Sequence, residues 1–192
     1  MYWPLRHVAS LLVRPFATWR AIATERTSLV AIVLGYVLPL SSIGPVATFV
    51  ARRFVGVRVE YVVYRSSVTD AFGQALFALV LTLAGLLLVA FFVDLLAPLF
   101  GARRSFAKAL RVAAFAYTPV WLAGVVVLAP MLGFLQLLAL AYEVFLLHAG
   151  LVEVMGIPRG RAGGLAACAV LGTVLLAVAF GELSAAVAPN AD

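Results

Sequence analysis

The 192-residue chain is 65% hydrophobic and 11% charged, with a mean hydropathy of +1.13. That balance excludes a water-soluble globular domain and leaves room for about five membrane-spanning helices of roughly 20 residues each. The net charge is +6, but the basic residues fall mostly between apolar runs, which points to positive-inside placement and anionic lipid headgroups rather than nucleic acid.

Taken in chain order, residues 1–27 are not apolar enough to span. On a helical wheel Val8, Leu11, Leu12, Pro15, Phe16, Trp19 and Ile22 gather on one side, with Arg6, Arg14 and Arg20 opposite. This predicts an amphipathic helix in the headgroup plane, split at Pro15, rather than a mobile basic leader. The next apolar run is too long for a cleaved signal peptide, and no Ala-x-Ala site closes it.

The first span is expected over residues 28–50. Pro39 and Pro45, with Ser41, Ser42 and Gly44 between them, should kink or unwind its outer half. Residues 51–70 form the longest connection between spans. In them Val57, Val59, Tyr61 and Val63 alternate with Arg58, Glu60, Val62 and Tyr64, leaving a short hairpin and a surface-lying segment both open. A second span over 71–97 carries Asp94 near its inner end, and the basic loop Arg103, Arg104, Lys108 and Arg111 leads into the third.

The third and fourth spans, 110–128 and 132–154, form a tight pair across Ala129 to Gly133. Each has polar residues near its middle: Tyr117, Thr118 and Pro119 in one, Tyr142 and Glu143 in the other. A carboxylate inside a long apolar helix is costly and calls for a partner or a function. With a rise of about 1.5 Å per residue, Tyr117 and Thr118 should lie level with Glu143 and hydrogen-bond it. Asp94 and His148 fall nearer the basic loop, while Gln74, Gln136 and Glu182 form an outer polar cluster. The fifth span, 163–187, precedes a short tail, 188–192. In it Gly164, Cys168 and Gly172 form one small-residue stripe and Ala169, Thr173, Ala177 and Gly181 another, as in helices that pack closely in lipid.

The segments expected inside hold Arg6, Arg14, Arg20, Arg26, Arg103, Arg104, Lys108, Arg111, Arg159 and Arg161, against Arg52, Arg53, Arg58 and Arg65 outside. The N-terminus is therefore expected in the cytoplasm and the C-terminus outside. No Gly-x-Ser-x-Gly, His-Glu-x-x-His or P-loop occurs, so no catalytic residue is assigned and a non-enzymatic protein is expected. The single cysteine excludes an internal disulfide, and neither a metal nor a cofactor is expected.

Five stretches stand out together: Arg14-Pro15-Phe16-Ala17-Thr18-Trp19-Arg20-Ala21-Ile22, Phe106-Ala107-Lys108-Ala109-Leu110-Arg111-Val112, Ala116-Tyr117-Thr118-Pro119, Ala129-Pro130 and Tyr142-Glu143-Val144-Phe145-Leu146-Leu147-His148-Ala149-Gly150-Leu151. With them the chain resembles the Yip family, the Ypt/Rab-interacting membrane proteins, in its bacterial form. The resemblance implies an all-α bundle of five spans with a cytosolic N-terminus. Eukaryotic relatives bind Rab GTPases through a region with an Asp-Leu-Tyr-Gly-Pro motif. Here only Asp94-Leu95-Leu96-Ala97-Pro98 is faintly like it, and it follows the second span, so Rab binding is not expected. These features predict a scaffold or adaptor that organises another membrane component, with a membrane-protein partner or a second copy of itself. A small transporter or channel subunit using Glu143 is the alternative, and a lipid-handling protein a further one.

Overall fold

A computed structural model describes the backbone of residues 6–59 and 62–187 and the side chains of residues 7–56, 65–129 and 131–175. It is an all-α membrane-type bundle with one small β hairpin between the first two spans. Among the described residues, four helical segments are long and apolar enough to cross a membrane: Leu29–Val55, Val68–Phe100, Phe106–Leu128 and Phe134–Met155. A further helix, α10, runs over Arg159–Val187 for 29 residues. The tail at 188–192 lies outside the described residues.

The chain enters through two short helices, α1 (Arg6–Val13) and α2 (Pro15–Thr24). Pro15 sits in the first turn of α2, where its missing N–H costs least. The same proline cannot donate to the carbonyl of Leu11, four residues back. The Tyr142 hydroxyl fills that gap, donating to Leu11 O at 3.2 Å and Leu12 O at 3.0 Å. From there α2 runs beside the fourth span, α9 (Phe134–Met155): Phe16 meets the Phe145 ring, Trp19 covers Gly150, and Arg20 faces Glu153. Arg111 closes the far end, donating to the carbonyls of Ile22 (3.5 Å), Glu25 (2.8 Å) and Thr27 (2.7 Å), in the last turn of α2 and the segment just after it.

This docking divides the face expected from the helical wheel. Leu11, Trp19 and Ile22 are buried in the core, whereas Leu12 and Phe16 remain exposed. A wheel groups residues by angle and cannot tell a protein neighbour from lipid.

The first span is built from pieces. Ser28 caps α3 (Leu29–Ile32) by accepting from Ala31 N at 3.2 Å. A wide, π-type turn over Val33–Val37 follows, then α4 (Leu38–Ser41) with Pro39 in its first turn, then α5 (Ile43–Val50) and a second wide turn over Ala51–Val55. The hydroxyls of Ser42 and Thr48 donate to Leu38 O (2.6 Å) and Gly44 O (3.0 Å), so these polar side chains find their partners within the span itself.

Of the two conformations left open for the connection, the backbone adopts the hairpin. Strands β1 (Val57–Val59) and β2 (Val62–Tyr64) pair antiparallel, Val57 opposite Tyr64 and Val59 opposite Val62; their side chains lie outside those described. The second span, α6 (Val68–Leu96), starts three residues before the expected bound. Ser67 accepts from Asp70 N at 3.1 Å while its hydroxyl donates to Asp70 Oδ2 at 2.7 Å, a Ser-x-x-Asp cap within what reads as loop.

The third span occupies the centre. It consists of α7 (Phe106–Ala116), a break at Tyr117, α8 (Thr118–Ala123) and a tighter turn over Gly124–Leu128. Its most apolar stretch is 56% buried, against 22% for the second span, which therefore lies on the outside of the bundle. α9 ends at Gly156, whose φ of 72° suits glycine, and Ile157 N closes the turn on Leu151 O at 3.2 Å.

Candidate functional site

The third span breaks because Pro119 has no N–H for the carbonyl of Phe115. Inside a membrane that carbonyl must find another donor. The Thr118 hydroxyl supplies it at 2.6 Å. Having spent its only hydrogen there, Thr118 Oγ1 accepts from the Tyr36 hydroxyl at 2.5 Å. Tyr36 stands in the wide turn of the first span, its ring 4.4 Å from that of Phe115 and 6.4 Å from that of Trp121. Two irregular helices are thus joined at the points where each departs from α geometry.

Beside this junction the two spans come into backbone contact. A Cβ on Gly124 would fall 2.7 Å from the Gly44 Cα, so only glycine fits there without displacement. A cavity of about 440 Å³ opens between these two spans, α6 and the first turn of α9. Ser41, Thr48, Thr82, Tyr117, Trp121 and Gln136 give it a mixed polar lining. The Trp121 indole N–H is buried and finds no acceptor among the described residues. Such a space can hold a small hydrogen-bonding molecule. Among the described residues no three of His, Cys, Asp and Glu converge as metal ligands.

Glu143 does not line this cavity. It is 3% exposed, lies within electrostatic range of Tyr117, and makes no hydrogen bond among the described residues. The hydrogen bond expected from Tyr117 or Thr118 to Glu143 is therefore absent. Tyr117 comes within electrostatic range of Glu143 without bonding it, and Thr118 is already claimed by the proline-exposed carbonyl of Phe115 and by the Tyr36 hydroxyl.

The two inner groups go to different places. Asp94 Oδ2 accepts from Arg104 Nε at 3.1 Å and Nη2 at 2.9 Å, tying α6 to the basic loop. His148 instead faces a groove between α2, α9 and the start of α10. Of the outer cluster, Gln136 lines the cavity, Gln74 has a buried carbonyl oxygen without a donor among the described residues, and no hydrogen bond joins the two. The side chain of Glu182 lies outside those described, as do the surroundings of Gly181. Gly164 and Gly172 seat the rings of Phe100 and Phe92 from the second span, a Cβ on either coming within 3.0 Å and 3.2 Å of the ring; Cys168 is exposed.

Tyr36, Trp121 and Gly124 carry the junction and were not singled out from sequence. The available signal was Thr118-Pro119, since a hydroxyl directly before a membrane proline can supply the missing donor. Nothing in the sequence points from Thr118 to Tyr36, 82 residues earlier.

Comparison with known proteins agrees with this architecture. No curated protein and no solved structure matches the chain. The Yip1 domain matches residues 9–181, which takes in the docked N-terminal helices, the broken first and third spans and most of α10. The chain belongs to the Yip family of multi-pass membrane proteins.

Proposed function

We propose that this Yip-family protein is a non-enzymatic membrane scaffold or adaptor that helps assemble another membrane component. The observation that carries this reading is the use made of its intramembrane polar groups. Thr118, Tyr36 and Tyr142 each donate to a group that links or completes broken helices, so their chemistry is spent on holding the bundle in shape. Conduction would need a water-reachable Glu143, and that residue is buried and does not line the cavity between the spans.

In this reading α10 is the fifth span, the arginine-rich end of the bundle faces the cytoplasm, and the protein resides in a bacterial inner membrane with its C-terminus outside. A reporter fused at the C-terminus should be active only outside the cytoplasm; a cytoplasmic signal overturns the orientation. For the scaffold itself, crosslinking in native membranes followed by purification in mild detergent should recover a defined membrane-protein partner or a homo-oligomer. A lone monomer without crosslinked species overturns it. Glu143→Gln should leave the recovered complex unchanged, whereas loss of a solute flux with the complex intact would establish the transporter reading instead.

A further inference from the structure

On the face of α9 away from the Tyr36–Thr118 junction, a groove of about 590 Å³ runs between α2, α9 and the first turn of α10. Its volume falls within the roughly 300–1,000 Å³ typical of small-molecule sites. Phe16 and Phe145, in edge-to-face contact at 5.7 Å, form one end, and Ala149 and Val152 continue the apolar wall. The charged groups gather at the other end: Arg20, Glu153 and Arg159, with His148 between the two regions. From Phe145 to Glu153 the wall rises about 12 Å, most of the roughly 15 Å depth of one hydrocarbon leaflet.

The charges do not cancel. Arg20 lies 3.7 Å from Glu153, which leaves the Arg159 guanidinium without an ion pair or hydrogen bond among the described residues; the same holds for the ring nitrogens of His148. A long apolar wall ending in an unpaired cation suits a molecule with a hydrocarbon chain and an anionic head. A soluble anion would leave the Phe16–Phe145 wall unused, and a neutral lipid would leave Arg159 unanswered. Phe16 and Phe145 are 48% and 38% exposed, so a chain can enter sideways from the membrane.

We propose that this groove binds one anionic phospholipid, its acyl chain along Phe16, Phe145, Ala149 and Val152 and its phosphate at Arg159 and Arg20. The lipid would then bridge α2 to the body of the bundle at the arginine-rich end. The site is independent of the scaffold reading, because it needs no protein partner.

The test is native mass spectrometry of the full chain in mild detergent, with phosphatidylglycerol and phosphatidylcholine of the same chain length offered in turn. The wild type should retain phosphatidylglycerol in preference. Arg159→Gln and Arg20→Gln should each weaken that retention about fivefold, the preference conferred by one interfacial basic residue. Val152→Trp, which fills the groove, should lower retention of both lipids. A melting curve of each variant in the same detergent separates loss of binding from loss of fold. A salt series on the wild type needs no variant: added salt should weaken phosphatidylglycerol and spare phosphatidylcholine. Equal retention of the two lipids overturns the proposal, as does retention of phosphatidylglycerol unchanged in the double arginine variant. Displacement of phosphatidylglycerol by inorganic phosphate at an ionic strength where chloride leaves it bound also overturns it, since the site would then read a phosphate alone.

Discussion

The two ends of α9 have nearly the same composition and opposite surroundings. Toward Met155, Leu146, Leu147, Ala149 and Leu151 are buried, because α2, α7 and α10 close around that half. Toward Phe134, the side chains of Phe134, Leu135, Leu137 and Leu138 are exposed, although Gln136 among them reaches the cavity between the spans. In water such an exposed run would be a liability. In a bilayer it costs little, since lipid tails are as apolar as leucine. Burial along α9 therefore follows which helices reach it, not how hydrophobic each stretch is. Long-range polar bonds reinforce the packing: Tyr142, near the middle of α9, ties it to α1, and Arg111 of α7 ties the end of α2.

Substitutions that probe the packed end should have the largest effects. Leu147→Ala removes a fully buried side chain and should destabilise the detergent-solubilised protein by about 2–5 kcal/mol, read from thermal melting. A loss below about 1 kcal/mol would mean that this half is no better packed than the other. Next comes Arg111→Met, which keeps most of the apolar stem and removes the donors to Ile22, Glu25 and Thr27. It should cost about 1.5–3 kcal/mol, the usual worth of a hydrogen bond to a charged group, and should expose α2 to limited proteolysis. Unchanged protease resistance would show that Trp19 alone holds the segment down.

Thr118→Val, close in shape, should cost about 1–2 kcal/mol, toward the upper end for interhelical hydrogen bonds in membranes, because it strips both Phe115 O and Tyr36 of a partner. Thr118→Ser keeps the hydroxyl and should recover most of that loss in the same melt. The smallest effect is expected at the open end of α9. Leu138→Ala, at a side chain 60% exposed, should change stability by less than about 0.5 kcal/mol. A loss comparable to that of Leu147→Ala would break the contrast and identify the open end as covered in the membrane, by another protein or by a second copy.

Much of the fold is legible from sequence because the bilayer admits few alternatives. Runs of apolar residues of the right length must be helices, and Pro15, Pro39 and Pro119 mark real interruptions. Helix bounds were less legible where a polar cap precedes the apolar run, as with Ser67 and Asp70. The candidate site was legible by halves. Tyr117, Thr118 and Glu143 stand out as polar residues in an apolar run, but their partners do not: Thr118 joins Tyr36, Tyr142 joins the end of α1, and Asp94 joins Arg104.

By itself, the sequence determined the solvent, the family and the order of the helices, since hydropathy and proline are local properties that act on the backbone directly. Tertiary structure alone decided which apolar faces meet protein and which meet lipid. It also decided which donor reaches each carbonyl that a proline leaves bare, and that Gly44 and Gly124 touch. Those outcomes depend on contacts between residues tens of positions apart, and in a chain where nearly every face is apolar, no periodicity marks them.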